Sequence, residues 1–153
     1  MGRSELQVIV LRLAECVAAG TGGRLFSYLS QPRCFRPIGF DPMINVISIE
    51  DVVRALLIAS EHAGQGVFNV PGKDTMPLSI AIARAGVIEI ALPGPLCAAI
   101  DRLQRSEFTY PLNTRLLHFG GVLDGRRAKE VLGFEPYTPA AFPTRGEAQR
   151  AQR

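Results

Sequence analysis

The apolar pattern opens on Gln7-Val8-Ile9-Val10-Leu11, a run rich in β-branched residues and without polar alternation. Such a run predicts a strand buried on both faces, as in a parallel sheet. A buried strand needs neighbours on both sides, and almost no chain precedes this one, so the pattern predicts a missing N-terminal portion. Gly20-Thr21-Gly22-Gly23 reads as a loop, followed by a short helix over 24–29 that is ended by Pro32. Residues 33–42 read as irregular, punctuated by Pro37, Gly39 and Pro42. Asn45-Val46-Ile47-Ser48-Ile49 predicts a second strand.

The clearest helix is 52–61. Ser48 and Asp51 stand three apart just before it, the spacing of a capping box, in which the hydroxyl accepts an orphan amide and the acid reaches back. Gly64 closes it. Residues 65–70 predict a third strand, stopped by Pro71-Gly72. Residues 78–85 predict a helix ending at Gly86, and Pro93-Gly94-Pro95 opens a helical stretch to about residue 105. No element is assigned to 73–77 or 87–92. Asp124 caps a last helix over 126–132 with Ala128, Val131 and Leu132 on one face and Gly133 as its stop. The chain is rich in Pro, Arg and Gln from Pro136 onward, and a disordered tail is expected over 139–153. No internal repeat is seen.

Four of these segments, in this order, resemble the second half of the NAD-dependent epimerase/dehydratase family, the extended short-chain dehydrogenases. Val10-Leu11-Arg12 resembles the strand after that family's catalytic helix. Asn45-Val46-Ile47-Ser48-Ile49-Glu50-Asp51-Val52-Val53-Arg54-Ala55 resembles its strand-to-helix segment with an Asp at the helix start. Gly66-Val67-Phe68-Asn69-Val70-Pro71-Gly72 resembles its late sheet strand, and the run from Asp124 through Leu132-Gly133-Phe134-Glu135-Pro136 resembles its closing helix. The resemblance implies an α/β fold: the last strands of a partial Rossmann-like parallel sheet, plus a small α+β substrate-binding lobe. It places residues 1–138 in the substrate-domain portion. It also implies NAD or NADP as the cofactor of the full-length family and a small polar or sugar-like substrate.

The residues that perform the family's chemistry are absent. A dinucleotide turn G-x-G-x-x-G starting at Gly20 needs glycine at 25, where Leu25 stands, and the loop begins well beyond the end of its strand. Glu50, the acid that could reach a ribose, lies further on than the usual ~20 residues. The family's acid/base is a Tyr with a Lys four residues later, which lowers the phenol's pKa. Here Tyr28, Tyr110 and Tyr137 are followed at that spacing by Pro32, Thr114 and Ala141, and Lys73 and Lys129 are the only lysines among 17 basic residues. The chain is therefore expected to bind no cofactor and to be inactive alone.

Three residues are candidates for substrate contact. Arg115, nine residues before Asp124, stands near where nucleotide-sugar members carry an arginine for the diphosphate, a bidentate role suited to guanidinium; it also reads as a surface arginine. Arg12 could line the pocket or pair with Glu15. Two positions depart from the nucleotide-sugar pattern: Ile44 replaces a second diphosphate arginine, and Glu15 replaces a sugar-contacting Asn. Glu50-Asp51 reads as a carboxylate pair or as first-turn acids serving the helix dipole. His62 sits at a helix end, and His118 lies in an apolar run. Neither joins Cys16, Cys34 and Cys97 in a metal-ligand spacing. No G-x-S-x-G elbow occurs.

Composition changes this picture little. Apolar residues at 47% and charged residues at 20% are ordinary globular values, and a net charge of +3 spread along the chain does not argue for nucleic acid or an anionic membrane. No window approaches 18 apolar residues, and Arg12 and Glu15 interrupt the apolar N-terminal stretch that a secretory leader would need. Three widely spaced cysteines read as reduced core residues, which predicts a cytoplasmic protein. The expected partners are a separate dinucleotide-binding half or a second copy paired through the edge of residues 8–11. The alternative function is a non-catalytic interaction or dimerisation module derived from the same fold. A third reading is weak RNA binding through the scattered arginines and Arg145, Arg150 and Arg153 of the tail.

Overall fold

The computed structural model describes residues 6–18, 21, 23–96 and 121–142. The chain runs β1 (Ile9–Leu13), β2 (Glu15–Cys16), α1 (Arg24–Leu29), β3 (Arg33–Pro37), β4 (Met43–Ile47), α2 (Ile49–Glu61), β5 (Gly66–Val70), β6 (Asp74–Pro77), α3 (Leu78–Arg84), β7 (Ile88–Leu92) and α4 (Ala128–Leu132). The fold is α/β, with strands paired mainly in parallel. Strands β1 and β5 pair in parallel register from Ile9 opposite Gly66 to Leu13 opposite Val70. Strand β4 lies between β2, parallel to it, and β6, antiparallel to it. Strands β3 and β7 form a third, parallel pair.

Two apolar cores follow this division. The β1–β5 pair is covered on one face by Phe68, Val70, Ile9 and Leu11 packing with Ala55 of α2, with Ala128 and Leu132 of α4, and with Phe134. The second core gathers Leu25, Tyr28 and Leu29 of α1, Cys34 of β3, Val46 of β4, Met76 of β6 and Ile82 of α3. The chain passes from one to the other at Ala14, whose amide donates to the Val70 carbonyl at 3.0 Å before β2 joins β4. The sheet-plus-small-lobe architecture expected from sequence is therefore present.

Strand β1 departs from the expectation of burial on both faces. Val8, Val10 and Leu13 are exposed, Val10 at 44%. The cause is topological: among the described residues β1 has one neighbour, β5, and only one face of the pair is covered. Three strands that sequence left unassigned, β3, β6 and β7, build the small lobe. The packed chain also continues past 138: Ala140 and Phe142 lie against the small-lobe core. The rest of the expected tail, 143–153, and the helix expected near 93–105 beyond residue 96 lie outside the described residues.

Two caps expected from the sequence form, although only the hydroxyl half of the Ser48–Asp51 capping box does. Ser48 caps α2, its Oγ accepting the Asp51 amide at 3.1 Å. Asp124 caps the last helix, accepting the Arg126 amide at 3.0 Å. That helix widens to π winding over Ala128–Leu132 and stops at Gly133, whose φ of 70° lies in the left-handed region that glycine adopts freely. The Phe134 amide then donates back to the Ala128 carbonyl at 3.1 Å.

Candidate functional site

Ligands of open parallel sheets bind beyond the carboxyl ends of the strands. Here those ends are Leu13 of β1 and Val70 of β5, and both lead directly into the junction with the small lobe. Arg12 and Asn69 are register partners across the two strands. Their side chains belong to the sheet face opposite Leu11, Phe68 and Val70, because successive residues of a strand point to opposite faces. Glu15 follows just past Ala14 and is exposed. Arg12 is exposed as well, and among the described residues no ion pair joins it to Glu15.

The floor of this junction is rigid. Asn45, buried on β4, donates through Nδ2 to the Gly72 carbonyl at 2.9 Å and to Thr75 Oγ1 at 2.8 Å, and its Oδ1 accepts the Gly72 amide at 2.7 Å. Gly72 is so close to β4 that a β-carbon there would stand 1.8 Å from the Val46 carbonyl oxygen. Asn69 Nδ2 donates to the Asp124 carbonyl at 3.3 Å, and a β-carbon at Gly125 would meet the Pro71 ring at 2.5 Å. The Asp124 carboxylate is held below the usual carboxylate range, first by the hydrogen bond from the Arg126 side chain and then by the Arg126 amide. The junction thus offers a cation, an amide and acids on a backbone tied by these hydrogen bonds.

The remaining candidates resolve as follows. Arg115 and His118 lie outside the described residues. Ile44, at the position where the nucleotide-sugar pattern carries arginine, is buried in the small-lobe core, opposite Met76. Glu50 is exposed on the first turn of α2. His62 ends α2 and sets its ring edge-on to Phe68, with centroids 6.4 Å apart. Among the described residues no three His, Cys, Asp or Glu side chains gather as a metal-ligand set.

Tyr28, buried in the small-lobe core, is locked by its hydroxyl, which donates to the Phe35 carbonyl at 2.8 Å. Burial pushes its pKa up, and the neighbouring Cys34 pushes it further the same way. Cys34 is likewise pushed up to about 12, mainly by burial, and is a core thiol rather than a nucleophile.

Of the Gly20–Gly23 loop, Thr21 and Gly23 are described. Thr21 Oγ1 donates to the Cys16 and Ala18 carbonyls, at 3.2 and 2.7 Å. A β-carbon on Gly23 would meet the Cys16 carbonyl at 2.9 Å, so the close backbone approach is to the chain's own strand end. The helix that follows has only 6 residues.

Sequence reasoning missed the strongest polar feature. Asp51 is 1% exposed, and its Oδ2 does not reach back to cap α2. It accepts the backbone amides of Tyr137 and Thr138, both at 3.0 Å. Its Oδ1 pairs with Arg54 at 3.1 Å. Arg54 lies over the Phe134 and Tyr137 rings, 5.2 and 5.1 Å from their centroids, and donates to the Glu135 carbonyl. Residues 134–142 therefore form a strap. It leaves the sheet core at Phe134, crosses Asp51, donates a hydrogen bond from the Ala140 amide to Asp74 Oδ2 at 2.7 Å, and ends with Phe142 on the small-lobe core. The Glu50-Asp51 pair is thus divided between an exposed acid and a structural one.

No family model matches the chain. Uncharacterized proteins of Mycobacterium tuberculosis and Mycobacterium bovis are 31% identical to it over 137 residues, which cover 88% of the chain and 36% of each relative. Among solved structures, UDP-N-acetylglucosamine 4-epimerase from Bacillus cereus is similar with a TM-score of 0.61 at 13% identity, over 98% of this chain and 47% of its own. UDP-glucose 4-epimerase from Thermotoga maritima, solved with UDP-glucose, gives 0.55 at 20% identity over 88% and 42%. A Bordetella bronchiseptica enzyme solved with NAD and UDP gives 0.60 at 16% over 97% and 44%. The chain shares the fold of these enzymes. It spans less than half the length of each, and about a third of the mycobacterial relatives. Among the described residues no helix is long and apolar enough to cross a membrane.

Proposed function

We propose that the chain is the substrate-side portion of an NAD(P)-dependent epimerase/dehydratase-type oxidoreductase. In this reading it supplies pocket wall and no catalytic acid or base, and it works with a separate or attached dinucleotide-binding half. The observation that carries this reading is the in-register parallel pair β1–β5, whose carboxyl ends run straight into the small lobe and set Arg12, Asn69 and Glu15 at the junction. That is where an open α/β sheet takes its ligand. Arg12 supplies a cation for an anionic or polyhydroxyl substrate, with Asn69 beside it for hydrogen bonding. Arg115 belongs to the same proposal as a second cation. With Ile44 in the core and Glu15 at the junction, the substrate need not be a nucleotide sugar, and a small polar carbonyl or hydroxyl compound fits equally well.

The test is binding by calorimetry, with NAD, NADP, UDP-glucose and UDP as probes. The chain is measured alone and as a chimera in which it replaces the matched segment of the M. tuberculosis relative. Dinucleotide and substrate-class binding by the chimera, weakened by Arg12→Ala, supports the reading. A folded chimera that binds no dinucleotide removes it. The second reading, a homodimerising module without catalysis, is favoured by the open edge of β1 and predicts a concentration-dependent dimer in light scattering.

A further inference from the structure

Among the described residues, the strap of 134–142 is tied to each lobe by the same kind of device. On the sheet side Asp51 accepts the Tyr137 and Thr138 amides and pairs with Arg54, which lies over the Tyr137 ring. On the small-lobe side Asp74 of β6 accepts the Ala140 amide and pairs with Arg84 of α3, which lies over the Phe142 ring, 5.8 Å from its centroid. Each clamp is an acid on strap amides, an arginine on the acid and a strap aromatic under the arginine. Pro139 stands between the two. A proline has no amide to give, so the run of strap donors is broken there.

The clamps are unequal. Asp51 is buried, takes two amides at 3.0 Å, and its arginine lies over two rings. Asp74 takes one strap amide, and the Arg84 side chain is 50% exposed and 3.5 Å from the carboxylate. Exposed ion pairs of this kind contribute little and are screened by salt. At 1 M salt the screening length is about 3 Å, shorter than the separation of this pair. The root of the strap is also fixed on the sheet side, where Phe134 is buried in the sheet core and Glu135 pairs with Lys129. Lys73 donates to the Tyr137 carbonyl, on the inner side of Pro139, and holds nothing beyond it. The outer residues Ala140 and Phe142 are only partly buried against the small-lobe core.

We propose that the strap is a salt-sensitive flap hinged at Pro139. Its inner half stays on the sheet lobe while residues 140–142 lift from the small lobe, in a local opening separate from global unfolding. Lifting exchanges the Asp74–Ala140 hydrogen bond for water and uncovers the part of the small-lobe core beneath Ala140 and Phe142. It also releases Asp74, two residues beyond Gly72, so the far end of the turn that floors the junction loses its tie to the strap. The opening is a property of the chain itself and holds whichever function the junction serves.

The experiment is amide hydrogen exchange of the full chain by NMR, in dilute buffer and at about 1 M sodium chloride, with each rate referred to that of an unstructured peptide in the same solution. Protection at Ala140 is expected to be about tenfold weaker than at Tyr137 and Thr138, and to fall by about threefold more in high salt while theirs holds. Asp74→Ala should weaken protection at Ala140 by about tenfold and leave Tyr137 and Thr138 unchanged. Arg84→Gln, a change at an exposed helix end, should remove the salt response of Ala140 without altering the circular dichroism. Three results overturn the proposal: equal protection at all three amides, their joint loss in either variant, or an Ala140 indifferent to salt in the unsubstituted chain. The first two would mean that the strap opens in one piece, and the third that the outer ion pair holds nothing.

Discussion

Asp51 on the first turn of α2 accepts the backbone amide of Tyr137, 86 residues further along the chain, at 3.0 Å. The bond joins the helix beside the sheet to the strap that ends on the small lobe. A buried carboxylate with two amide donors and a guanidinium partner is a high-stakes group: removing it orphans two amides and leaves Arg54 without its counter-charge. Asp51→Ala is expected to destabilise the chain by about 3 kcal/mol. Urea denaturation measures this, and hydrogen exchange should quicken first at Tyr137 and Thr138. An unchanged midpoint with unchanged exchange would contradict the clamp.

Arg54 acts in the clamp through its shape as well as its charge. Its planar guanidinium lies over two rings while donating to a carbonyl. Arg54→Lys keeps the charge near Asp51 but loses the planar fork, so a cost of about 1 kcal/mol is expected. Arg54→Met leaves the Asp51 carboxylate buried and unpaired and should cost more. Thermal melts of the three proteins give the order Arg, Lys, Met; Met equal to Lys would show that stacking alone matters.

Alanine should destabilise two glycine positions to very different degrees. At Gly72 the new β-carbon would meet β4 backbone at 1.8 Å, which no side-chain rotation can relieve. Gly72→Ala is expected to break the β4–β6 junction and abolish folding of the small lobe. At Gly133 the space is empty and only the positive φ opposes a side chain, so Gly133→Ala should cost about 1 kcal/mol. Expression yield and denaturant midpoints separate the two.

The chain should be sensitive to alkali through its small-lobe core. Folding raises the Cys34 pKa from 9.0 to about 12, and burial raises that of Tyr28 as well. A group whose folded pKa is raised contributes its full stability below the unfolded value and loses it as pH rises through the folded one. Stability should therefore hold up to about pH 9 and fall between there and pH 12. Cys34→Ala should flatten the slope, as read from denaturant midpoints against pH. An identical slope in the variant would exclude the thiol as a cause.

Much of this was legible in the sequence. The Ser48 cap located α2, and the Gly133 stop ended α4, because local side-chain chemistry decides both. The candidates Arg12 and Glu15 come from the resemblance of their segment to the family's strand, and both lie at the carboxyl end of β1. Other parts were not readable locally. Strand β6, Asp74–Pro77, has Met76 as its one core residue and is shaped by Asn45, 30 residues before its Thr75 partner. Strand β3 ends on Pro37 and carries Arg36, whose charge is met by Glu89 of β7 at 2.6 Å. Strand β7 does alternate, Ile88-Glu89-Ile90, but its partner β3 had read as irregular. The spacing of Ser48 and Asp51 predicts a reciprocal cap, which Asp51 does not make. Asp is one methylene shorter than the Glu or Gln of a capping box, and that shortness was the available sign that the carboxylate serves another partner.

The account turns on whether dinucleotide binding belongs to this chain or to the portion it joins. NADH and NADPH fluorescence titrations of the chain alone and of the chimera with the M. tuberculosis relative test this directly. The account predicts no saturable binding by the chain alone and stoichiometric binding by the chimera. Stoichiometric binding of either dinucleotide by the chain alone would contradict it.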